Sequence, residues 1–324
     1  MAGAQERVLR RRIRSVESTK KITRAMELIA ASRIVRAQQA ILAARPYVAK
    51  MAEVVAHLAD TPDAAQHPLL RDPTSVQRVA IVLITGDRGL AGGYNSSVIR
   101  AAERLLHEHQ AAGRDAQLVI AGRKGISYFR YRRQPIMASV TGVSDRPTYE
   151  DAVRIVGTII EPLAAGELNR IELVYTRFVS LGSQVVTTRQ LIPLVRGDEP
   201  DGDTGGGASG GGGDGQKTVY EFEPEPGEIL DRLLPNWLEA EVLAALLESA
   251  ASEHAARQRA MKAATDNADE LIKTLRRVMN RARQDAITTE IMEIVGGAEA
   301  LRQAGMDSGD GAYRENFQTA GGPV

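Results

Sequence analysis

The sequence predicts an open α/β sheet, forming a globular head, and a long antiparallel two-helix coiled coil built from the N- and C-terminal segments. Three observations predict this fold. Residues 4–59 contain a single helix breaker, Pro46, and residues 236–295 contain neither glycine nor proline. Between these stretches the chain alternates strand-like and helix-like patterns.

The length of the two terminal segments decides how they must pack. Helices of this size span roughly 80–90 Å, whereas a small domain is only about 30 Å across. Neither helix can be enclosed in a globule. Two such helices bury their apolar faces most simply against each other, in antiparallel pairing.

The first arm is predicted as a helix over residues 1–60, bent at Pro46. Its apolar residues recur at steps of three and four, which is the spacing of one helix face. The predicted face consists of Leu9, Ile13, Val16, Ile22, Met26, Ile29, Val48, Met51, Val55 and Leu58.

The second arm is predicted as a helix over residues 228–300. Its apolar residues follow the alternating spacing of a coiled-coil heptad seam, and the predicted seam is Met261, Ala264, Ala268, Leu271, Leu275, Val278 and Ala282. A second stripe of Ile287, Ile291 and Ile294 follows it. Residues 301–324 are rich in glycine and polar residues and are predicted to form a flexible tail.

The head is predicted over residues 76–195. Residues 79–85 are a continuous apolar run, typical of a strand buried on both faces, and a glycine-rich turn and a helix follow it. The last two strand-like runs are close enough for a hairpin, so the sheet is predicted to mix parallel and antiparallel pairing. Further strands are predicted at 117–121, 136–143, 170–179 and 184–194, and a helix at 149–165.

Residues 196–218 separate the head from the second arm. Ten of these 23 residues are glycine and five are acidic. Such a composition predicts a flexible acidic loop and not a folded element.

Composition excludes several classes of function. The chain has no cysteine, so it can form no disulfide, thiolate nucleophile or cysteine-ligated metal site. Its five histidines are scattered, and we expect no metal and no cofactor. It has no run of about 18 apolar residues that could cross a membrane. The basic N-terminus also contains Glu6 and Glu17 and lacks an apolar core, so neither a transit peptide nor a secretory signal fits.

The turn GDRGLAGGYNSS after the first strand invites a phosphate-binding hypothesis, because glycines before a helix can expose backbone N–H groups. Its spacing matches neither the dinucleotide fingerprint nor the P-loop. We interpret these as structural glycines in a tight strand-to-helix connection. No grouping of side chains requires catalysis, and we predict no catalytic residue.

Basic residues concentrate on the two arms, although the whole chain has 41 basic and 41 acidic residues. Residues 1–45 contain eleven Arg or Lys against three Glu, and residues 273–283 contain five more with no acid. A solvated helix face is the ordinary interpretation. A coiled-coil nucleic-acid binder is the less favoured one, because no aromatic residues lie among the charges, and we expect no nucleic-acid partner.

Three stretches in this order resemble the gamma subunit of bacterial F-type ATP synthases. They are RRRIRSVESTKKITRAMELIAASRIVRAQ near the start, TGDRGLAGGYNSSV in the head, and SEHAARQRAMKAATDNADELIKTLRRVMNRARQDAITTEIMEIVGGAEAL near the end. The likeness covers nearly the whole chain except the glycine-rich loop and the last two dozen residues.

The resemblance implies a non-catalytic central rotor shaft that transmits torque between a membrane ring of c subunits and a ring of three alpha and three beta subunits, and so drives ATP synthesis. The implied partners are alpha, beta, epsilon, the c-ring and delta. The implied location is peripheral, on the cytoplasmic face of the bacterial plasma membrane, with membrane contact only through partners. The alternative function is a Rossmann-like nucleotide-binding enzyme with helical arms for oligomerisation.

The resemblance also implies which residues contact partners. In the ITRAM region these are Lys20, Lys21, Arg24 and Met26. On the second arm Arg257, Gln284, Thr288 and Glu290 match positions that the family uses to hold the two helices and to contact the beta subunits. The acidic loop falls where chloroplast relatives carry a thiol-regulated insertion, and without cysteine it cannot act as a redox switch.

Overall fold

A computed structural model describes residues 2–59, 76–194 and 226–307. Over these ranges it contains five helices and five strands. The helices are α1 (Ala2–Ala59), α2 (Tyr94–Ala111), α3 (Arg123–Tyr131), α4 (Tyr149–Ala164) and α5 (Pro226–Asp307), and the strands are β1 (Arg78–Ile84), β2 (Asp115–Ala121), β3 (Ile136–Val140), β4 (Arg170–Phe178) and β5 (Gln184–Ile192).

The observed bounds bear on the predicted divisions of the chain. Helix α1 continues through Pro46, and α5 continues through Pro235 and ends at Asp307. The first seven residues of the predicted tail, 301–307, are therefore helical. The predicted loop 196–218 and the tail beyond 307 lie outside the described residues.

The described residues belong to two compact units. The first unit contains Met1–Arg24 and Ala263–Val324, and the second contains Ala25–Lys262. Because the first unit takes one stretch from each end of the chain, it is built by α1 and α5. The second unit contains the sheet.

In the first unit, α1 and α5 pair in antiparallel fashion. Three contacts join them: Glu17 Oε1 with Arg276 Nη2 at 2.8 Å, Lys20 Nζ with Asp269 Oδ1 at 2.5 Å, and the Thr23 and Thr265 hydroxyls at 2.8 Å. Residue numbers rise along one helix as they fall along the other, which defines the antiparallel direction. This confirms the predicted two-helix coiled coil.

The seam of this pair is apolar at one end and polar at the other. Ile13, Ile272 and Leu275 are buried together, with Leu9, Val16 and Met279 packed around them. Further along, the buried positions are Ala268 and the two hydroxyl-bonded residues Thr23 and Thr265. Burying two hydroxyls costs little here because each partners the other.

The observed seam of α5 agrees with the predicted one at Met261, Ala268 and Leu275, which are buried. At the two positions between them it is shifted by one residue, because Thr265 and Ile272 are buried instead of Ala264 and Leu271. The predicted seam residues Leu271 and Val278 are 40% and 46% exposed. The hydrophobic pattern was misleading because the true seam contains a threonine, whereas the neighbouring face offers an almost equally regular row of apolar residues.

The predicted buried face of α1 also differs from the observed one. Its buried positions include Thr23, Glu27, Ala30 and Ile34, whereas the predicted face residues Ile22 and Ile29 are 59% and 53% exposed. The buried positions keep the steps of three and four, but two of them are polar. A sequence pattern that counts only apolar residues cannot identify a buried seam position that a polar residue occupies.

The second unit contains one five-stranded sheet in the order β3-β2-β1-β4-β5. Strand β1 pairs in parallel with β2 and β4, β2 pairs in parallel with β3, and β4 pairs antiparallel with β5. The predicted open sheet with mixed pairing is confirmed. The predicted hairpin is β4–β5.

Both faces of the sheet are covered, which is why β1 is apolar from Val79 to Ile84. Val79, Ile81 and Leu83 pack with residues of α2 and α3 on one face. Ala80, Val82 and Ile84 belong to the core on the other face, which is completed by α4 and by the α5 residues Leu234, Trp237, Leu238, Val242, Ala245 and Leu246.

Three carboxylates of α5 have restricted exposure: Glu241 and Glu253 are buried, and Glu248 is half-buried. Glu241 is paired with Arg189 Nη1 at 2.6 Å, and burial nevertheless raises its pKa. Burial raises the pKa of Glu248 to about 7, against the opposing effects of Arg177, Arg45 and Arg189. One Glu248 carboxylate oxygen, Oε2, has no hydrogen-bond partner, which is consistent with a group that favours its neutral form.

A pair of alanine variants tests the phase of the α5 seam. We expect Ile272→Ala to lower the free energy of unfolding by about 2–4 kcal/mol, because it opens a cavity between the helices. Leu271→Ala, one residue away on the exposed face, should cost less than about 1 kcal/mol. Denaturant unfolding of the purified chain measures both. Equal losses of unfolding free energy, or a larger loss for Leu271→Ala, would contradict the observed seam and support the predicted one.

Replacing Glu248 by glutamine tests the cost of placing this carboxylate in a half-buried position. Because its folded-state pKa lies above the ordinary 4.5, the folded chain binds more protons than the unfolded chain between those two values. This contribution to stability is present at low pH and is lost as pH rises towards 7. We expect Glu248→Gln to match the unmodified chain near pH 4.5 and to exceed its unfolding free energy by about 1–3 kcal/mol at pH 8.5. A constant difference across this pH range would contradict the assignment.

Candidate partner-contact residues

Three of the predicted contact residues lie on α1 in the first unit, and the structure gives them different surroundings. Lys20 is half-buried and its ammonium group binds Asp269 of α5. Lys21 and Arg24 are exposed. Lys20 therefore holds the helix pair together, whereas Lys21 and Arg24 present their cationic groups at the surface.

Three further predicted residues lie near the end of α5, also in the first unit. Gln284, Thr288 and Glu290 are all exposed, and so is every residue from 287 to 303. This stretch nevertheless contains large apolar side chains, namely Ile287, Ile291, Met292, Ile294, Val295 and Leu301. A single helix with exposed isoleucines has only marginal stability in water. Exposed apolar patches of this kind are typical of surfaces that bind a partner.

Met26, the fourth α1 residue, belongs to the second unit and is half-buried. The same portion of α1 exposes several large apolar residues, and those nearest Met26 recur at roughly helical spacing: Leu28, Ile29, Val35 and Leu42. The helix therefore has an outer apolar face besides its buried one. The predicted face residue Ile29 belongs to this outer face.

Arg257 is not at the surface. It is 7% exposed, and its guanidinium binds the Glu253 carboxylate and donates to the Gly89 carbonyl at 3.3 Å and to His254 Nδ1 at 3.3 Å. These contacts support a role inside the second unit. A partner contact at Arg257 stays a prediction.

The glycine-rich turn lies at the point where ligands bind in many open α/β sheets. Strand β1 is flanked by β2 on one side and β4 on the other, and such a crevice at the carboxyl end of the strands is the usual ligand site. In this chain the Glu253 side chain of α5 occupies the space beside the turn. A Cβ added to Gly86 would lie 2.9 Å from the Glu253 carboxyl carbon.

The turn itself is held by internal hydrogen bonds. The Gly86 N–H donates to Asn95 Oδ1 at 2.8 Å, and the Asp87 carboxylate accepts the Arg123 N–H at 3.0 Å and the Gly142 N–H at 2.9 Å. The interpretation of structural glycines agrees with this geometry, because the Gly86 N–H and the Asp87 carboxylate are bonded to the protein's own atoms.

Burial controls the protonation of the side chains at this crevice. Burial raises the pKa of Glu253, opposed by Arg257, and raises the pKa of Tyr94, with a further rise from Glu253. Burial lowers the pKa of His254. The neutral imidazole can then accept from Arg257 at Nδ1 and donate from Nε2 to the Asp145 carbonyl at 3.3 Å.

The sequence did not indicate this polar crevice. Glu253, His254 and Asp145 follow no recognisable motif, and they come together only because α5 crosses the ends of the strands. Another buried pair, His109 with Glu172 at 3.0 Å, was also missed. The only available signal was Asp87, the third residue after the end of the first strand.

Within the described ranges, no helix has the length and apolar character needed to cross a membrane.

Comparisons with known proteins agree over nearly the full chain. The ATP synthase family model matches residues 5–301. The chain is 45% identical to the ATP synthase gamma chain of Streptomyces avermitilis over 306 residues, covering 93% of this chain and 98% of that one. It is 47% identical to the ATP synthase gamma chain of Frankia casuarinae over 305 residues, covering 93% and 99%.

Solved structures support the fold. A chain of the Tetrahymena thermophila mitochondrial ATP synthase central stalk and c-ring structure matches with a TM-score of 0.55 and 24% identity, covering 75% of this chain and 99% of that one. A chain of the Euglena gracilis mitochondrial ATP synthase matches with a TM-score of 0.63 and 16% identity, covering 97% and 99%. From the family model and the close relatives, the chain belongs to the ATP synthase gamma chain family.

Proposed function

We propose that this chain is the non-catalytic central shaft of a proton-translocating F-type ATP synthase, and that it transmits torque between a membrane c-ring and a catalytic ring of three alpha and three beta subunits. ATP synthesis takes place on those partners. The chain lies peripherally at the cytoplasmic face of the bacterial plasma membrane and reaches the membrane only through epsilon and the c-ring, with delta in the same complex.

The end of α5 carries this proposal. From residue 287 to residue 303 every side chain is exposed, although six are large and apolar. Burying such residues is worth about 1.5–3 kcal/mol each, so a partner that encloses this end gains considerable free energy. A ring of subunits around the helix is the arrangement that can cover all of its faces.

The paired helices of the first unit suit the transmission of torque. Helix α1 contains one proline in 58 residues, and α5 contains neither glycine nor proline between residues 236 and 295, so residues that weaken a helix are few along both. The antiparallel contacts Lys20–Asp269 and Glu17–Arg276 resist sliding of one helix along the other.

The exposed cations suit a bearing surface. Lys21, Arg24 and the group Lys273, Arg277, Arg281 and Arg283 are exposed. Exposed ion pairs are worth only about 0–1 kcal/mol each, so contacts with acidic partner loops can form and break as the shaft turns. Different contacts with three chemically identical subunits then bias each one towards a different state.

The proposed contacts with the beta subunits are Lys21, Arg24, Met26, Gln284, Thr288 and Glu290. Lys20 and Arg257 were predicted with them. Their bonds to Asp269 and to Glu253 favour an internal role, and a further contact of either residue with a beta subunit stays a prediction. The alternative of a nucleotide-binding enzyme has little support, because Glu253 occupies the crevice that a phosphate would use.

Co-expression with alpha and beta subunits tests the proposal directly. We expect to recover a complex with one copy of this chain per six partner chains, which native mass spectrometry would count. Titration of the isolated chain with ATP should give no saturable binding. Recovery of the chain free of partners, together with tight nucleotide binding, would favour the enzyme alternative.

Met26→Lys tests the proposed bearing contact. Adding a charge at this position should create a contact with a beta subunit that persists through the rotation cycle. We expect proton pumping per ATP hydrolysed to fall more than the yield of assembled complex, measured in inverted membrane vesicles. Met26→Leu, which keeps an apolar side chain of similar volume, is the matched control. Equal proton pumping per ATP hydrolysed in the two variants would contradict the assignment of Met26 as a contact with the beta subunits.

A further inference from the structure

We propose that the loop after β3, residues 142–145, is a junction that holds both long helices to the edge of the sheet, and that Asp145 and His254 are positioning residues for torque transfer. This inference rests on the proposed function of the chain as a shaft. All of its contacts lie within the second unit.

The loop is fixed to the sheet through Asp87, which is the third residue after the end of β1. The Gly142 and Ser144 N–H groups donate to Asp87 Oδ2 at 2.9 and 3.3 Å, and the Asp87 N–H donates to the Ser144 hydroxyl at 2.9 Å. The remaining Asp87 oxygen accepts the Arg123 N–H at the start of α3. One carboxylate therefore joins the ends of three elements.

The next residue of the loop contacts both long helices. The Asp145 carboxylate pairs with Arg33 of α1. The Asp145 carbonyl accepts from His254 Nε2 of α5 at 3.3 Å, and His254 is almost completely buried. On its other side, His254 accepts from Arg257, which also reaches the Gly89 carbonyl of the turn after β1.

These contacts differ in kind from the apolar packing of the same helix. Helix α5 packs its apolar residues between Leu234 and Leu246 on the sheet, and such packing is not directional. Hydrogen bonds depend strongly on angle. The contacts at 253–257 therefore help to fix the rotation of α5 about its own axis, together with the Glu241–Arg189 pair and the Ser252 hydroxyl that donates to the Thr176 carbonyl of β4. Arg33 attaches α1 to the same loop.

A charge exchange between Arg33 and Asp145 tests the junction in the assembled membrane complex. We expect Arg33→Asp and Asp145→Arg, made singly, to lower proton pumping per ATP hydrolysed. The double variant should recover pumping, with a coupling between the two changes of about twofold or more. Arg104→Asp on the exposed face of α2 makes the same charge change away from the junction and should leave pumping unchanged.

Asp145→Asn is the milder variant if charge reversal prevents assembly. It keeps the carbonyl that His254 contacts and removes the charge that pairs with Arg33 and lies 3.7 Å from His254 Nε2. We expect normal assembly and ATP hydrolysis with reduced pumping. Normal pumping in the Asp145→Asn complex, or a double exchange that pumps no better than the single variants, would overturn the inference. Failure of the unmodified chain to assemble with alpha and beta would instead refute the proposed function.

Discussion

The pairing of α1 with α5 in the first unit is the interaction on which the rest of the molecule depends. The two helices come from opposite ends of the chain, and no local contact brings them together. A buried apolar group of Ile13, Ile272 and Leu275 supplies the driving force for pairing. The hydroxyl bond between Thr23 and Thr265 and the charged contacts beside it set the register. A polar seam position commonly trades stability for a single alignment.

In the second unit, the position at which open α/β sheets often bind ligands is used to hold a helix. The crevice beside β1 is occupied by Glu253, and the turn that could have bound a phosphate donates its hydrogen bonds to Asn95 and Ser144. Burying a carboxylate there raises its pKa, which is an energetic cost that Arg257 reduces. The arrangement indicates that the fold uses this position to hold α5.

Much of the architecture could be predicted from the sequence, because the signals were long and regular. The strand at 79–85, the hairpin of the last two strands and the two unbroken arms all follow from hydrophobic period and from the positions of glycine and proline. The phase of the seam could not be predicted, since Thr23, Glu27 and Thr265 are polar residues at buried positions. The short helix α3, which contains a glycine, was also not predicted. The junction at Asp145 depends on contacts between residues more than 100 positions apart, and no local pattern indicates such contacts.

The central claim is that the two ends of the chain are joined along this seam and turn as one body. The chain has no cysteine, so Thr23→Cys with Thr265→Cys introduces the only pair of thiols, at a position where the native hydroxyls lie 2.8 Å apart. The measurement is ATP hydrolysis and proton pumping by the assembled complex before and after oxidation of this pair. We expect the disulfide to form in nearly every chain and both activities to continue, because the link joins two parts of the same rotating body. Failure to form the link, or a link that stops turnover until it is reduced, would contradict it.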